Sequence, residues 1–382
     1  MTVPESLDLT KTLIEFESVS RDSNLPLIEF VENYLDDHGV KSFRVENEDK
    51  TKANLVASVG PEEAGGVVLS GHTDVVPVDG QPWNYDPFDA TINGDKLYGR
   101  GTCDMKAFIG SALNAISSMG KLKKPIHFAL SYDEEVGCKG APDMIEQIQL
   151  RLPEPAAVIV GEPTSMGSVS AHKGIVLLKT VVTGFETHSS QTQRGVSAVT
   201  TAAQLVSYLD VMANSLRNSA LEETGFEPNY TSIHVGVIKG GTAVNIVSRH
   251  CEFVWDIRTV PGDDAQQIID QFEGFCQREI LPEMRRRFAG AGISSTIFAN
   301  APPFEVLTDS PAMELVQRLT GLTSVSKVSY AAEAGLYQLA GLPCVICGPG
   351  SIDQAHQPDE YIEIDQIEAS DQFMRKLVEK FS

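Results

Sequence analysis

Helical and extended hydrophobic patterns alternate along the first 170 residues of the chain. Apolar residues at every third or fourth position predict helices, and short, nearly continuous apolar runs predict strands that are buried on both faces. The predicted helices are Leu7–Phe16, Leu27–Leu35, Met105–Met119 and Ala141–Leu150, and the predicted strands are Asn54–Val59, Val67–Ser70, Ile126–Tyr132 and Ala157–Gly161. This alternation is typical of a sheet covered by helices, so the pattern predicts an α/β fold.

The pattern changes from about Lys173 and returns near residue 303. The elements predicted in between are strand Ile175–Thr183, helix Ser197–Leu216, strands Thr231–Lys239 and His250–Thr259, helix Asp264–Ile280 and strand Ile293–Ala299. They form a βαββαβ unit of α+β type. The elements predicted after it are helix Pro311–Thr320, strand Pro343–Cys347 and helix Asp365–Phe381. We therefore expect an α/β domain in two parts, residues 1–172 and 303–382, with residues 173–302 inserted as a second domain.

Charge and composition narrow the class of partner. The 382-residue chain has a formal net charge of −22 and an isoelectric point near 4.7, so it repels nucleic-acid phosphates and anionic membrane surfaces. The sequence contains no run of about 18 apolar residues that could cross a membrane, and its first residues lack the pattern of a secretion signal. We expect a cytoplasmic protein that binds a small molecule and neither nucleic acid nor membrane.

The cysteines are scattered through the chain rather than clustered as in a small secreted domain. They are Cys103, Cys138, Cys251, Cys276, Cys344 and Cys347. We interpret all six as reduced. The last two have the spacing of a metal-ligand pair, but they lie in an apolar run without a second pair, which favours buried strand cysteines.

A histidine and an aspartate follow the apolar strand Val67–Ser70. His72 and Asp74 lie two residues apart in the segment GHTDVVP at residues 71–77, and alternate positions at a strand end point to the same side. Asp74 can therefore hold the His72 imidazole in one tautomer while the other ring nitrogen binds a metal ion. Taken alone, such a pair is more often a local hydrogen bond, so the other polar positions decide between the two interpretations.

Further acidic and histidine positions fall where other predicted strands end. Asp104 lies on a glycine-rich turn before a helix, Glu134 and Glu135 follow the third predicted strand, Glu162 follows the fourth, and His356 follows the last. Each position alone is typical of a solvated turn. Sites on sheets of this kind lie beyond the carboxyl ends of the strands, so the positions together predict one polar cluster.

The cluster has the composition of a site for two Zn²⁺-like ions. Two histidines, one aspartate and two or three glutamates can give each ion a nitrogen and a terminal carboxylate, with one carboxylate left to bridge the ions. Such sites lower the pKa of a shared water from 15.7 toward about 7. Neighbouring side chains at a strand end diverge, so one member of the pair Glu134 and Glu135 can bind metal while the other accepts a proton.

Five ordered segments carry a resemblance to a known family. They are GHTDVVP at residues 71–77, GRGTCDMK at 99–106, DEE at 133–135, GEPT at 161–164 and AHQPDE at 355–360. In this order they resemble the co-catalytic zinc amidohydrolases and peptidases of the M20 family, and the resemblance covers essentially the whole chain. It implies a zinc-peptidase-like α/β catalytic domain with an inserted lid and dimerisation domain.

The resemblance also implies a role for each residue of the cluster. The implied roles are one metal ion on His72 and Glu162, the other on Glu135 and His356, a bridge by Asp104, a general base in Glu134 and catalytic support by Asp74. Two divalent ions are implied, zinc in the first place and cobalt as the alternative. A cis peptide bond after Asp104 is implied as well.

In the inserted segment the resemblance singles out His188, Asn245 and Arg258. Without it, His188 is typical of a surface turn and Arg258 of a solvated strand. The resemblance implies instead a lid that closes on the substrate, with His188 supporting an oxyanion and Arg258 holding a carboxylate. Because relatives can supply such groups from the partner subunit, a homodimer through the inserted domain is implied.

Other segments most resemble the branch of the family that hydrolyses N2-acetyl-L-ornithine to L-ornithine and acetate, in arginine biosynthesis. They are AHKG at residues 171–174, HSS at 188–190, RGV at 194–196, AEA at 332–334 and GPGSI at 348–352. Succinyl-diaminopimelate desuccinylase and M20-type dipeptidase activities stay open, as does a metal-binding protein without catalysis. The intact Glu134 argues against the last, because a metal store needs no positioned base.

Overall fold

The computed structural model describes residues 4–220, 224–306 and 309–382. The chain divides into two compact units. The first contains the chain up to Ala171 together with Phe304–Lys327 and Ala332–Ser382, and the second contains His172–Pro303 and Val328–Ala331. The first unit is therefore assembled from separate stretches of sequence, on either side of most of the second.

The elements are numbered in chain order. The strands are β1 (Ser42–Glu46), β2 (Ala53–Val59), β3 (Val67–His72), β4 (Thr91–Asn93), β5 (Lys96–Tyr98), β6 (Ile126–Ser131), β7 (Ala157–Val160), β8 (Ser168–His172), β9 (Gly174–Thr183), β10 (Thr187–His188), β11 (Ser232–Gly240), β12 (Ile246–Val247), β13 (His250–Thr259), β14 (Gly292–Ala301), β15 (Phe304–Glu305), β16 (Val325–Val328), β17 (Cys344–Ile346) and β18 (Tyr361–Glu363). The α-helices are α1 (Leu7–Ile14), α2 (Leu25–Asp37), α3 (Ala107–Asn114), α4 (Ala141–Arg151), α5 (Ala198–Asn218), α6 (Ala265–Phe275), α7 (Leu281–Arg287), α8 (Pro311–Thr320), α9 (Ala334–Leu339) and α10 (Ile364–Phe381).

The main sheet of the first unit has the strand order β1-β2-β6-β3-β7-β17-β8-β15, with β16 paired to β8. Strand β3 runs parallel to β6 and β7, and β17 runs parallel to β7. These four strands are buried along their whole length, and helices α2, α3, α8 and α10 contribute side chains to the same core. The arrangement confirms the predicted α/β class. It also brings the carboxyl ends of four strands to one edge of the sheet.

The second unit has an antiparallel sheet with the order β11-β13-β9-β14. Alternate residues of β13 are buried, and Phe253 and Trp255 pack with Leu205 of α5 and Phe272 of α6. This alternation follows from a sheet that has helices on one face only. The chain order β9, α5, β11, β13, α6, β14 is the βαββαβ order read from the sequence, with α7 added after α6.

Two of the predicted helices run into π-type segments. The helix predicted from Met105 begins at Ala107, because Thr102–Lys106 form a buried π-type turn in which Asp104 has φ −121° and ψ 90°. The helix predicted over Asp264–Ile280 ends at Phe275, and a π-type segment then leads into α7. In the first segment the backbone of Asp104 and Met105 leaves the α-helical range, and in the second the helix changes to the wider hydrogen-bonding pattern of a π-helix.

Several short strands were not predicted. They include β1 and the members of a small sheet with the order β18-β5-β4. These strands are three to five residues long and mostly half-buried, so they lack both a continuous apolar run and a clear alternation. Across the described ranges, no helix is both long enough and apolar enough to span a membrane.

Candidate functional site

The residues singled out in the α/β part of the sequence lie beyond the carboxyl ends of parallel strands. His72 is the last residue of β3, Glu134 and Glu135 follow β6, Glu162 follows β7, and His356 follows β17. Because β3, β6, β7 and β17 are aligned in parallel, these side chains reach the same edge of the sheet. The polar cluster expected from the sequence is present.

A first group of donor atoms comes from His72, Asp104 and Glu162. The Nε2 atom of His72 lies 2.8 Å from Oδ1 of Asp104 and 3.9 Å from Oε1 of Glu162. All three residues are buried, and one donor atom from each lies within 4.8 Å of the other two. This spacing is short enough for the three atoms to contact a single cation.

A second group comes from Asp104, Glu135 and His356. The Nε2 atom of His356 lies 3.3 Å from Oδ2 of Asp104 and 3.0 Å from Oε2 of Glu135. Asp104 therefore belongs to both groups, with Oδ1 directed at His72 and Oδ2 directed at His356. A carboxylate with one oxygen toward each group is the arrangement that a bridging ligand needs.

Buried contacts hold the turn that carries Asp104. The peptide bond between Asp104 and Met105 is cis, as the family resemblance implies. Glu360 accepts hydrogen bonds at Oε1 from the backbone N–H groups of Cys103 at 3.0 Å and Asp104 at 3.3 Å. Its other oxygen pairs with the buried guanidinium of Arg100. Glu360 and Arg100 thus support the site, although their sequence positions carried no signal beyond membership of the motifs.

Asp74 supports the cluster differently from the sequence expectation. The Nδ1 atom of His72 lies 2.8 Å from the backbone oxygen of Asp74, whereas the Asp74 carboxylate is 3.8 Å away. That carboxylate accepts hydrogen bonds from the backbone N–H groups of Glu134 at 3.0 Å and Glu135 at 3.3 Å, and from the Ser20 hydroxyl at 2.6 Å. Asp74 therefore fixes the His72 ring through its main chain and the two glutamates through its side chain.

Glu134 belongs to neither donor group, although it precedes Glu135. Its side chain is 9% exposed, and the Cys138 thiol lies 3.3 Å from Oε1. Burial raises the pKa of the Glu134 carboxyl well above its ordinary value. A carboxylate that stands beside the two groups without joining them is free to exchange a proton.

The electrostatics of the cluster reflect an excess of carboxyl groups. Burial raises the pKa of Glu135 to about 7 and raises that of Glu162 well above its ordinary value, and the charge of Asp104 adds to both shifts. Burial also opposes ionisation of Asp104, but the hydrogen bonds from His356 and His72 outweigh it and lower the pKa. The hydrogen bonds to Asp104 and Glu135 raise the pKa of His356 to about 11. These shifts are those of a site that attracts positive charge.

The donor set fits divalent metal ions. Each group combines one imidazole nitrogen with carboxylate oxygens, which is the mixed set that Zn²⁺ and related ions accept. The groups share Asp104, so together they offer two adjacent positions rather than one.

Glu333 lies in the AEA segment at residues 332–334, and its sequence position is compatible with either a contact to an ammonium group of the substrate or a structural carboxylate. It is 1% exposed, and its Oε2 accepts a hydrogen bond from the Ser70 hydroxyl at 3.1 Å. The Tyr337 hydroxyl lies 2.9 Å from the same Ser70 oxygen, and burial raises the pKa of Glu333. The contacts and the burial favour a structural role for Glu333, which holds Ser70 on β3, two residues before His72.

Two of the residues singled out in the second unit are neighbours. His188 ends β10, which pairs with β12, and the backbone N–H of Ser189 donates to the backbone oxygen of Asn245 at 2.9 Å. His188 is exposed, and its Nδ1 accepts a hydrogen bond from the backbone N–H of Ser190 at 3.1 Å. A neutral imidazole with Nδ1 as acceptor carries its proton on Nε2, so His188 presents a donor at the exposed ring nitrogen.

Arg258 is separated from that pair. It lies near the end of β13, eight residues after His250, so it is roughly 25 Å along an extended strand from the end of the sheet near His188. Its guanidinium is half-buried, with Nε 3.5 Å from Oδ1 of Asp256. The second unit therefore presents His188 with Asn245 at one end of its sheet and Arg258 at the other.

Comparison with known proteins identifies the family. The pattern of Peptidase family M20/M25/M40 matches residues 68–380, so the chain belongs to this family and is a hydrolase. The resemblance stated from the sequence is confirmed.

The chain is also similar, over nearly its whole length, to individual proteins of known name or structure. The acetylornithine deacetylase of Pectobacterium carotovorum subsp. carotovorum (strain PC1) is 34% identical over 393 residues, which cover 100% of this chain and 99% of that protein. The crystal structure of an M20 family metallo-carboxypeptidase from Sulfolobus solfataricus has the same fold, with a TM-score of 0.76, 19% identity and coverage of 98% and 99%. The YXEP protein of Bacillus subtilis, described as a dinuclear metal binding peptidase, matches with a TM-score of 0.66, 16% identity and coverage of 98% and 97%.

Proposed function

We propose that this protein hydrolyses the acetyl amide of N2-acetyl-L-ornithine to L-ornithine and acetate, as a metal-dependent step of arginine biosynthesis in the cytoplasm. The observation that carries the chemistry is the pair of donor groups that share Asp104, beside the separate carboxylate of Glu134. The choice of substrate is supported by the 34% identity to an acetylornithine deacetylase over the whole chain.

The residues that would hold the metal ions are those of the two donor groups. His72 and Glu162 would bind one ion, Glu135 and His356 the other, and Asp104 would contact both. Zinc is proposed, with cobalt as the alternative, because the mixed nitrogen and oxygen set accepts either. When bound, the ions would polarise the acetyl carbonyl and lower the pKa of water at the site.

Glu134 would act first as general base and then as general acid. Its carboxylate would accept a proton from the attacking water as the new C–O bond forms at the acetyl carbon. It would return that proton to the nitrogen of ornithine as the amide C–N bond breaks. The Asp74 carboxylate would keep Glu134 in place through the hydrogen bond of 3.0 Å that it accepts from the backbone N–H of Glu134.

The second unit would act as a lid and would form a homodimer. His188 would donate to the developing oxyanion from Nε2, and Asn245 and Arg258 would bind the substrate, with Arg258 holding its carboxylate. The separation of Arg258 from His188 supports a dimer, because groups at opposite ends of one sheet can serve one reaction if they come from different subunits.

Two other activities use the same chemistry and remain as alternatives. Dipeptide hydrolysis and desuccinylation of succinyl-diaminopimelate would each need the donor groups and Glu134, and they would differ only in the pocket for the rest of the substrate. A metal-binding protein without catalysis is the alternative from another class. It does not explain why Glu134 is buried beside the donor groups without joining them.

The direct test of the proposed chemistry is Glu134→Gln. The amide cannot take up the proton of the attacking water, so we expect ornithine release to fall by about 100- to 10,000-fold. Metal content, measured by elemental analysis, should not change, because Glu134 is outside both donor groups. The matched control is Glu62→Gln at an exposed position of the same unit. Unchanged turnover in Glu134→Gln would refute the role of Glu134.

A further inference from the structure

The thiol of Cys138 lies against the carboxylate of Glu134. The Cys138 Sγ atom is 3.3 Å from Oε1, and the two residues are 3% and 9% exposed. At this separation the thiol donates a hydrogen bond to the carboxylate oxygen. Within the part of the chain that the structure describes, no other group donates a hydrogen bond to that carboxylate.

The backbone after Glu134 places Cys138 in this position. The N–H groups of Gly137 and Cys138 both lie 2.9 Å from the backbone oxygen of Glu134, and the N–H of Lys139 lies 3.1 Å from the oxygen of Asp133. These bonds fold the chain back, so the side chain at position 138 returns to the side chain at position 134. The contact is therefore built into the turn.

Cysteine is not the residue that this turn requires. Cys138 has φ +55°, in the left-handed region where a residue with a Cβ atom is uncommon. Glycine would adopt this conformation without steric cost. An unfavourable backbone conformation that is kept beside a candidate active site points to a use for the side chain, and here the thiol contacts Glu134.

Glu134 needs a contact of this kind because its surroundings are rich in carboxylates. Glu135 follows it directly, and Asp104 belongs to the adjacent donor groups. Like charges repel, so these neighbours push the carboxylate away without fixing its rotation. A single donor on Oε1 fixes the orientation of the group and leaves Oε2 for the proton of the attacking water.

We propose that Cys138 is a positioning residue for the reaction, which holds the Glu134 carboxylate in the orientation required for proton transfer. The proposal rests on the function proposed above, in which Glu134 is the general base. Cys138 does not contact the substrate and undergoes no covalent change.

The kinetic test compares three substitutions at position 138. Cys138→Ala removes the donor, and we expect kcat for N2-acetyl-L-ornithine to fall about 3- to 10-fold, with KM and metal content unchanged. Cys138→Ser keeps a donor and should restore at least half of the loss. Cys138→Gly removes the steric cost of the positive φ but also lacks the donor, so its kcat should be as low as that of Cys138→Ala. Cys276→Ala, which removes a buried thiol from the core of the second unit, is the control.

The outcomes separate positioning from packing. If Cys138→Ala keeps the wild-type kcat, or if Cys138→Gly is as fast as wild type, the thiol does not position Glu134. A Cys138→Ser enzyme as slow as Cys138→Ala would overturn the proposal too, because a hydroxyl preserves the donor and loses mainly the bulk of the sulfur.

A second readout does not depend on turnover. The infrared S–H stretching band of Cys138, assigned by its loss in Cys138→Ala, should move to higher frequency in Glu134→Ala, because the hydrogen bond to the carboxylate is gone. A band that does not move would overturn the contact itself. If the wild-type protein hydrolysed no acyl amino acid while this band still moved, the proposed function would fail and the contact would stand.

Discussion

Asp104 is the residue on which the two donor groups depend. Its Oδ1 lies 2.8 Å from the His72 imidazole and its Oδ2 lies 3.3 Å from the His356 imidazole. Each of the other donor residues belongs to one group only. Replacing Asp104 should therefore affect both metal positions, whereas replacing a histidine should affect one.

This difference can be measured as metal content. We expect Asp104→Ala to lose both ions, because each position loses a ligand and the remaining carboxylates lose the bridge. His356→Ala should keep the ion held by His72 and Glu162. Elemental analysis of zinc-loaded and dialysed protein gives the number of ions per chain. Loss of only one ion from Asp104→Ala would show that this residue does not bridge.

At this scale the sequence indicates the donors but not the contacts that orient them. His72, Glu135 and Glu162 could be placed because each lies at the end of an apolar strand or a few residues after it. The roles of Glu360, Ser20 and Cys138 depend on the paths of loops that no hydrophobic pattern describes. Asp74 was placed correctly beside His72, but the contact between them runs through the backbone oxygen.

At the scale of elements, the parallel strands bring the site together. The elements that hydrophobicity predicts well are buried ones, and helix α8 and strand β13 have the predicted bounds. The helix predicted from Met105 was wrong at its start, because Met105 and Lys106 belong to the turn that carries Asp104, in which the backbone of Asp104 and Met105 is not helical. The short strands β4, β5 and β18 pair with one another rather than with the core sheet, so burial leaves little trace in their sequences.

Strand β6 contains a histidine that makes stability depend on pH. His127 is fully buried, its Nδ1 lies 2.9 Å from the Ser58 hydroxyl, and its Nε2 has no hydrogen-bond partner within the described residues. Burial lowers the pKa of this imidazole from 6.5 to about 4. Between these values the unfolded chain binds a proton that the folded chain does not, so stability should fall as pH falls from 6.5 toward 4, by roughly 3 kcal/mol.

The matched variant is His127→Asn, which can keep the hydrogen bond to Ser58 and does not titrate. Chemical denaturation at pH 7 and pH 5 should show a smaller loss of unfolding free energy for His127→Asn than for wild type. Other groups also titrate in this range, so the difference between the two proteins isolates His127. Equal losses of unfolding free energy in the two proteins would contradict the expected contribution of His127.

At the scale of the whole molecule, the proposed function requires a homodimer that forms through the second unit. The second unit has an exposed edge at β11, where Val237 and Ile238 are 45% and 51% exposed. An uncovered strand edge of this length is available for pairing with another chain. We therefore expect the homodimer to form through β11, and we expect activity to depend on it because His188 and Arg258 lie at opposite ends of the sheet.

A lysine placed on that edge should separate the subunits. We expect Ile238→Lys to sediment as a monomer at concentrations where wild type is a dimer, because a charged edge opposes strand pairing. Ile297→Lys is the matched control on the opposite edge strand β14, where the side chain is similarly exposed at 42%. A fully active wild-type monomer would remove any role for His188 across a subunit boundary.

The measurement that tests the central claim most directly is amine release from N2-acetyl-L-ornithine, with N-succinyl-diaminopimelate, N-acetylcitrulline and a dipeptide assayed in parallel. The protein is loaded with zinc or cobalt, and a chelated sample serves as control. We expect a strong preference for acetylornithine that chelation abolishes and either metal restores. Preference for another substrate would contradict the proposed specificity, and no turnover of any of them by protein with two bound ions would contradict the catalytic function.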